Sequence, residues 1–89
     1  MTPAQFKKWR KALDLSQKEA AELLGIKRRQ VQYYEKGERD GKDIQIPRAI
    51  ALACCCLHQG IVEFDGEMPK ILPKDDLKKL AEKLEKHHK

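Results

Sequence analysis

The chain has 89 residues and a mass of 10.3 kDa, with 40% of residues hydrophobic and 37% charged. Leu, Ile, Val and Phe together number only 20, and a chain this size buries about 60% of its unfolded surface, which excludes a large catalytic cleft. No apolar run approaches the roughly 18 residues of a membrane span, and the net charge of +5 lies entirely in residues 1–36, where nine Lys/Arg face four Asp/Glu.

The opening stretch, MTPAQFKKWRK, has no apolar signal core, so the cytoplasm is the default compartment and no membrane is expected. Thr2, Pro3 and Gln5 predict a helix start, with Thr2 as N-cap, Pro3 at the first helical position and Gln5 completing a capping box. Phe6, Trp9 and Leu13 follow at helical spacing, and the helix should end near Asp14. Ser16 and Glu19 form a second capping box. Ala20, Leu23 and Leu24 supply the buried face of that helix, and Gly25 ends it abruptly in a left-handed conformation. A third helix is expected from about Lys27 to Lys36, closed by Gly37. Val31 and Tyr34 should face inward, Ile26 should pack at the turn, and Lys27, Arg28, Arg29, Gln32 and Tyr33 should form a basic and polar outer surface. A localised basic surface suits a polyanion, although a merely solvated charged face has the same composition.

Residues 37–46 hold two glycines and three carboxylates and read as a loop. Pro47 restarts a helix with Ile50, Ala53, Cys54 and Leu57 on one face and Gly60 at its end. Cys54, Cys55 and Cys56 are contiguous and odd in number. That is no disulfide framework; it suits a reducing compartment, where free Cys serves as a small apolar residue. Residues 61–73 show no clear period, being broken by Gly66, Pro69 and Pro73, and a short extended piece fits Ile61–Phe64. Residues 74–86 are helical in composition. Asp75 and Asp76 in the first turn, and Lys86, His87 and His88 at the end, complement the helix dipole. Leu77, Leu80, Ala81 and Leu84 make a narrow stripe. A solitary helix of about 13 residues is marginal in water, so the stripe needs a surface: the rest of the chain, a second copy or another protein.

Two short helices joined at a glycine turn, the second one basic, describe a helix-turn-helix. The run from Leu15, Ser16, Gln17, Lys18, Glu19, Ala20 and Ala21 through Glu22, Leu23, Leu24, Gly25 and Ile26, then Val31 and Tyr34-Glu35-Lys36-Gly37, resembles the Cro and phage-repressor class. The small xenobiotic-response-element (XRE) regulators belong to that class. The resemblance covers about residues 3–60, and Pro47 to Cys54 is similar to the closing helix of such domains. It implies an all-α fold, a compact lambda-repressor-like domain of four to five helices. The helix-turn-helix domain would span residues 1–60, and a linker with an amphipathic C-terminal helical tail would span residues 61–89.

The resemblance also implies roles for matching positions. Gln17 matches a residue whose side chain and amide meet a DNA phosphate, a task suited to a helix N-terminus. Arg28, Arg29, Gln32 and Tyr33 match the exposed face of the recognition helix. There Arg can bond guanine O6 and N7, and Gln can bond adenine N6 and N7; the alternative for both arginines is phosphate contact that only positions the protein. Tyr33 fits a thymine-methyl contact, a phosphate bond or plain surface cover. Lys27 and Lys36 complete the candidate DNA contacts. Arg10 and Glu35 match an ion pair of phage repressors, the alternative being two unrelated surface charges. The chain departs from the pattern at Lys27, where many relatives carry a capping Ser or Thr, and in the longer loop 37–46, through which Arg39 or Lys42 could reach the DNA backbone.

No Walker loop, HExxH, Gly-rich dinucleotide turn or Cys-x-x-Cys pair is present. Cys54 or Cys55 with His58 offers two ligands where a structural zinc takes four, so neither a metal nor a cofactor nor enzymatic activity is expected. The expected function is a sequence-specific DNA-binding transcriptional regulator, a repressor of prophage or autoregulatory type, acting as a homodimer on pseudo-palindromic double-stranded DNA. The alternative is an antitoxin-like protein whose C-terminal helix binds a partner protein. The symmetric operators of the family favour the tail as the self-association element.

Overall fold

Both capping boxes form. In the computed structural model, which describes residues 1–86, the Thr2 hydroxyl accepts from the Gln5 amide at 3.1 Å while the Gln5 side chain accepts from the Thr2 amide at 2.8 Å. These bonds start α1 (Pro3–Ala12). The reciprocal bonds of Ser16 and Glu19, 3.1 and 2.8 Å long, start α2 (Gln17–Leu24). Gly25 then takes φ +72°, a conformation that strains any residue with a Cβ. The Ile26 amide reaches back to the Ala21 carbonyl at 3.0 Å, satisfying the helix end and turning the chain into α3 (Arg28–Lys36).

The rest of the chain is not all-α. Residues 37–46 are more than a loop: β1 (Glu38–Arg39) pairs antiparallel with β2 (Lys42–Asp43) across Asp40 and Gly41, whose φ values are +53° and +80°. Asp-Gly between two short extended pieces is a strong two-residue hairpin signal. After α4 (Arg48–His58) a second antiparallel hairpin joins β3 (Ile61–Phe64) to β4 (Pro69–Ile71), and α5 (Lys74–Lys86) closes the described chain. The extended piece expected at Ile61–Phe64 is therefore half of a hairpin. Its turn is held by the Asp65 carboxylate, which accepts from the amides of Glu67 and Met68 at 2.8 and 2.9 Å. The same two bonds hold the Asp65 carboxyl below its usual range. Gly60 lets the two ends of this hairpin close on each other: a Cβ there would stand 2.5 Å from the Leu72 carbonyl oxygen.

The core gathers Phe6, Trp9, Leu13, Leu15, Val31, Tyr34, Cys54, Leu57 and Leu77. Phe6 packs tilted against Trp9 and edge-on against Tyr34, with ring centroids 5.3 and 5.7 Å away. The Trp9 indole N–H donates to the Cys54 carbonyl at 2.9 Å and ties α1 to α4. Helix α2 is central and packs against α3, α4 and α5.

The tail takes the first of the surfaces open to it. Leu77 and Ala81 are buried, Leu80 and Leu84 are half-buried, and the main partner of α5 is α2, where the small Ala20 and Ala21 are also buried. Lys18 pairs with Glu85, and Lys78 reaches Asp14 and Glu19 at 3.9 and 3.6 Å. The stripe expected to pair with a second copy is thus occupied within the chain. His87 and His88 lie outside the described residues. Among the described residues, no helix is long and apolar enough to cross a membrane.

Candidate nucleic-acid interface

Helix α3 divides cleanly by burial. Val31 and Tyr34 point into the core, while Arg28, Arg29, Gln32 and Lys36 are exposed. Arg28 with Gln32, and Arg29 with Tyr33, are spaced i to i+4, so they form neighbouring rows on one surface. Among the described residues, Arg28 and Arg29 enter no ion pair, and both guanidinium groups remain open to an external anion. Lys27 occupies the N-cap of α3 without a side-chain cap bond, as its departure from the usual Ser or Thr implies. Its exposed ammonium instead adds charge at the start of the helix.

One buried network locks this surface to the scaffold. Arg10 Nε and a terminal nitrogen donate to the two Glu35 carboxylate oxygens at 2.6 and 2.9 Å, a bidentate pair only 12% and 7% exposed at its side chains. The other terminal nitrogen of Arg10 donates to the Leu15 carbonyl at 2.9 Å. The Gln17 side-chain amide donates to Glu35 at 3.4 Å. Residues from α1, α2 and α3 therefore meet at one carboxylate, which fixes the N-terminus of α2 beside α3. Gln17 thus has a structural bond as well as its place in the first turn of α2, where backbone amides and the helix dipole favour an anion.

The first hairpin brings Arg39, offered by the loop 37–46 as a contact to the DNA backbone, against the side of α3. The Arg39 guanidinium lies 5.2 Å from the centroid of the Tyr33 ring, a cation–π arrangement, and also stands 3.9 Å from Asp40. Lys36 pairs with Glu38 at 3.7 Å. Arg39 therefore flanks the recognition face; the Asp-Gly turn was the only local signal that could have placed it there. Of the three cysteines, Cys54 is buried, and burial pushes its thiol up to about 12, while Cys55 and Cys56 are exposed. Among the described residues, no three His, Cys, Asp or Glu side chains gather as a metal cluster.

The arrangement is a short helix whose outer face carries two exposed arginines, a glutamine and a lysine, preceded by a second helix with its N-terminus alongside. A protein-family model described as helix-turn-helix matches residues 6–55, from α1 into the last turn of α4. No curated protein and no solved structure matches the chain closely enough to name a relative. With the family match covering more than half of its length, the chain belongs to the Cro and XRE type of helix-turn-helix proteins, a family of DNA-binding regulators.

Proposed function

We propose that the chain is a sequence-specific transcriptional regulator, a repressor of prophage or autoregulatory type that binds a pseudo-palindromic operator as a homodimer. The observation that carries this reading is the pair of exposed arginines at the N-terminal end of α3, in no ion pair among the described residues, backed by the Arg10–Glu35–Gln17 network. Residues at that end of a recognition helix reach base edges when the helix enters the major groove. In this reading Arg28 or Arg29 bonds guanine, Gln32 bonds adenine, and the α2 N-terminus at Gln17 receives a phosphate. Lys27 and Lys36 flank the helix and neutralise neighbouring phosphates, with the stacked Tyr33 and Arg39 at its edge. The antitoxin-like alternative needs an apolar tail available to a partner, whereas α5 lays Leu77 and Ala81 against α2.

The test is duplex DNA binding across a salt series. For about 6–10 phosphate contacts per dimer, the log–log slope of affinity against salt should lie at roughly −5 to −9. A slope near zero would remove DNA binding as the main function. Selection from random duplexes by the purified protein then supplies the operator.

A further inference from the structure

Helix α4 is the most apolar helix of a strongly charged chain. After Arg48 and up to His58 it carries no Lys, Arg, Asp or Glu. A helix apolar all round belongs in a setting where all its faces are covered, yet α4 is covered on one side only. Cys54 and Leu57 point inward, whereas Ala49, Leu52, Cys55 and Cys56 face solvent, with Leu52 54% exposed. Ala49, Leu52, Ala53 and Cys56 fall at i, i+3, i+4 and i+7 and make one continuous strip. The strip runs into an open groove of about 210 Å³ between α4 and β3, whose walls include Leu23, Ala53, Cys56, Val62 and Phe64. Phe64 is 64% exposed, and Ile71, on the paired strand β4, is 63% exposed.

We propose that this face of α4 and the β3–β4 hairpin is the contact between two copies of the chain; the inference deepens the reading of the protein as a regulator acting on a two-fold operator. The shape of the surface identifies the occupant. Leu52 stands directly before Ala53 and about one helical turn before Cys56, so knob and hole lie side by side on one helix. In a two-fold contact, residue i meets j while j meets i. Two antiparallel α4 helices therefore place each Leu52 against the other's Ala53 and Cys56, with the axis passing near Ala53, midway between the residues that meet. The absence of charge on the strip also suits a surface buried against its own copy, since a charge there would be desolvated with no opposite charge on the facing strip. In area, Leu52, Phe64 and Ile71 with the smaller residues between them make a patch on the order of the ~300–600 Å² that marks an interaction site. A rim including Arg48 and Glu63 brings it towards the ~800 Å² that each partner contributes to a standard interface. Arg28, Arg29 and Gln32 do not border the groove, so pairing here leaves them free for DNA.

The experiment is sedimentation of the full chain without DNA, beside cross-linking of its natural thiols by a short bis-maleimide. The parent should form a dimer at tens of micromolar and cross-link through Cys55 or Cys56. Leu52→Glu should keep its helical circular dichroism, sediment as a monomer and lose the cross-link, with self-association weakened by roughly 30-fold or more, the scale of an interface hot spot. Phe64→Glu, on a different element, should weaken the dimer in the same direction. A parent that is monomeric and does not cross-link overturns the proposal, as does a dimer that survives both substitutions. Because no DNA is present, a dimer broken by Leu52→Glu supports this contact even in a protein that proves not to bind DNA, an outcome that would remove the operator reading alone.

Discussion

The Arg10–Glu35 pair offers the sharpest test of how the recognition helix is held. Arg10→Ala removes both bonds to Glu35, at 2.6 and 2.9 Å, and the bond to Leu15 at 2.9 Å. The carboxylate left behind is 7% exposed and, among the described residues, keeps only the 3.4 Å bond from Gln17. Removing one partner of such a buried pair costs about 3–5 kcal/mol, because the remaining charge is uncompensated. Glu35→Ala should fall toward the lower end of that range, since the Arg10 guanidinium keeps its bond to Leu15 and is more weakly hydrated than an ammonium. With roughly 4–8 °C of melting temperature per kcal/mol in a domain of this size, either single change should lower Tm by some tens of degrees or by slightly less. The double mutant has no orphaned charge and should lose less than the sum of the singles, with a coupling energy in the ~0.5–3 kcal/mol range of residues in contact. Urea unfolding followed by circular dichroism on all four proteins measures that cycle. Strict additivity would refute the argument, because it would mean that the two charges do not act as a unit despite their geometry.

Arg28→Ala or Arg29→Ala should cost on the order of 1–3 kcal/mol of operator binding and relax one base position, while Gln17→Ala should weaken all sequences about equally. Competition between duplexes that differ at single positions checks this, and a uniform loss in both arginine variants would reassign those residues to phosphate. Leu77→Ala, at a side chain only 1% exposed, should destabilise the chain by about 2–5 kcal/mol in urea; an unchanged midpoint would contradict the packing of α5 on the core. Maleimide labelling at neutral pH, at a dilution where the chain is monomeric, should reach Cys55 and Cys56 in the native protein and Cys54 only after unfolding. Burial raises the Cys54 thiol from its ordinary 9.0 to about 12, so the unfolded chain loses this proton first. The resulting contribution to stability is complete below 9.0 and is lost as pH rises toward 12. Melting curves of the parent and Cys54→Ala across that window should therefore converge with rising pH, and parallel curves would count against the assignment.

Features governed by neighbouring residues are legible in the sequence itself. The capping boxes at Thr2–Gln5 and Ser16–Glu19, the stop at Gly25 and the missing cap at Lys27 each depend on residues within about one helical turn, where backbone amides and side-chain oxygens meet or fail to meet. The outward basic face of α3 follows from helical spacing alone, and the Arg10–Glu35 pair from the resemblance. What stays hidden in the sequence is decided by surfaces that meet only after folding. The stripe of α5 is visible, but periodicity says that a helix needs a partner without saying which one; the partner is α2. The bond from Gln17 to Glu35 joins residues 18 positions apart, and the stacking of Arg39 on Tyr33 requires the chain to turn back beyond Gly37. In the same way, α4 reads as a core helix from its composition, and only the packed molecule leaves Leu52 and Cys56 outside, because the interior of so small a domain can cover one side of an apolar helix and no more.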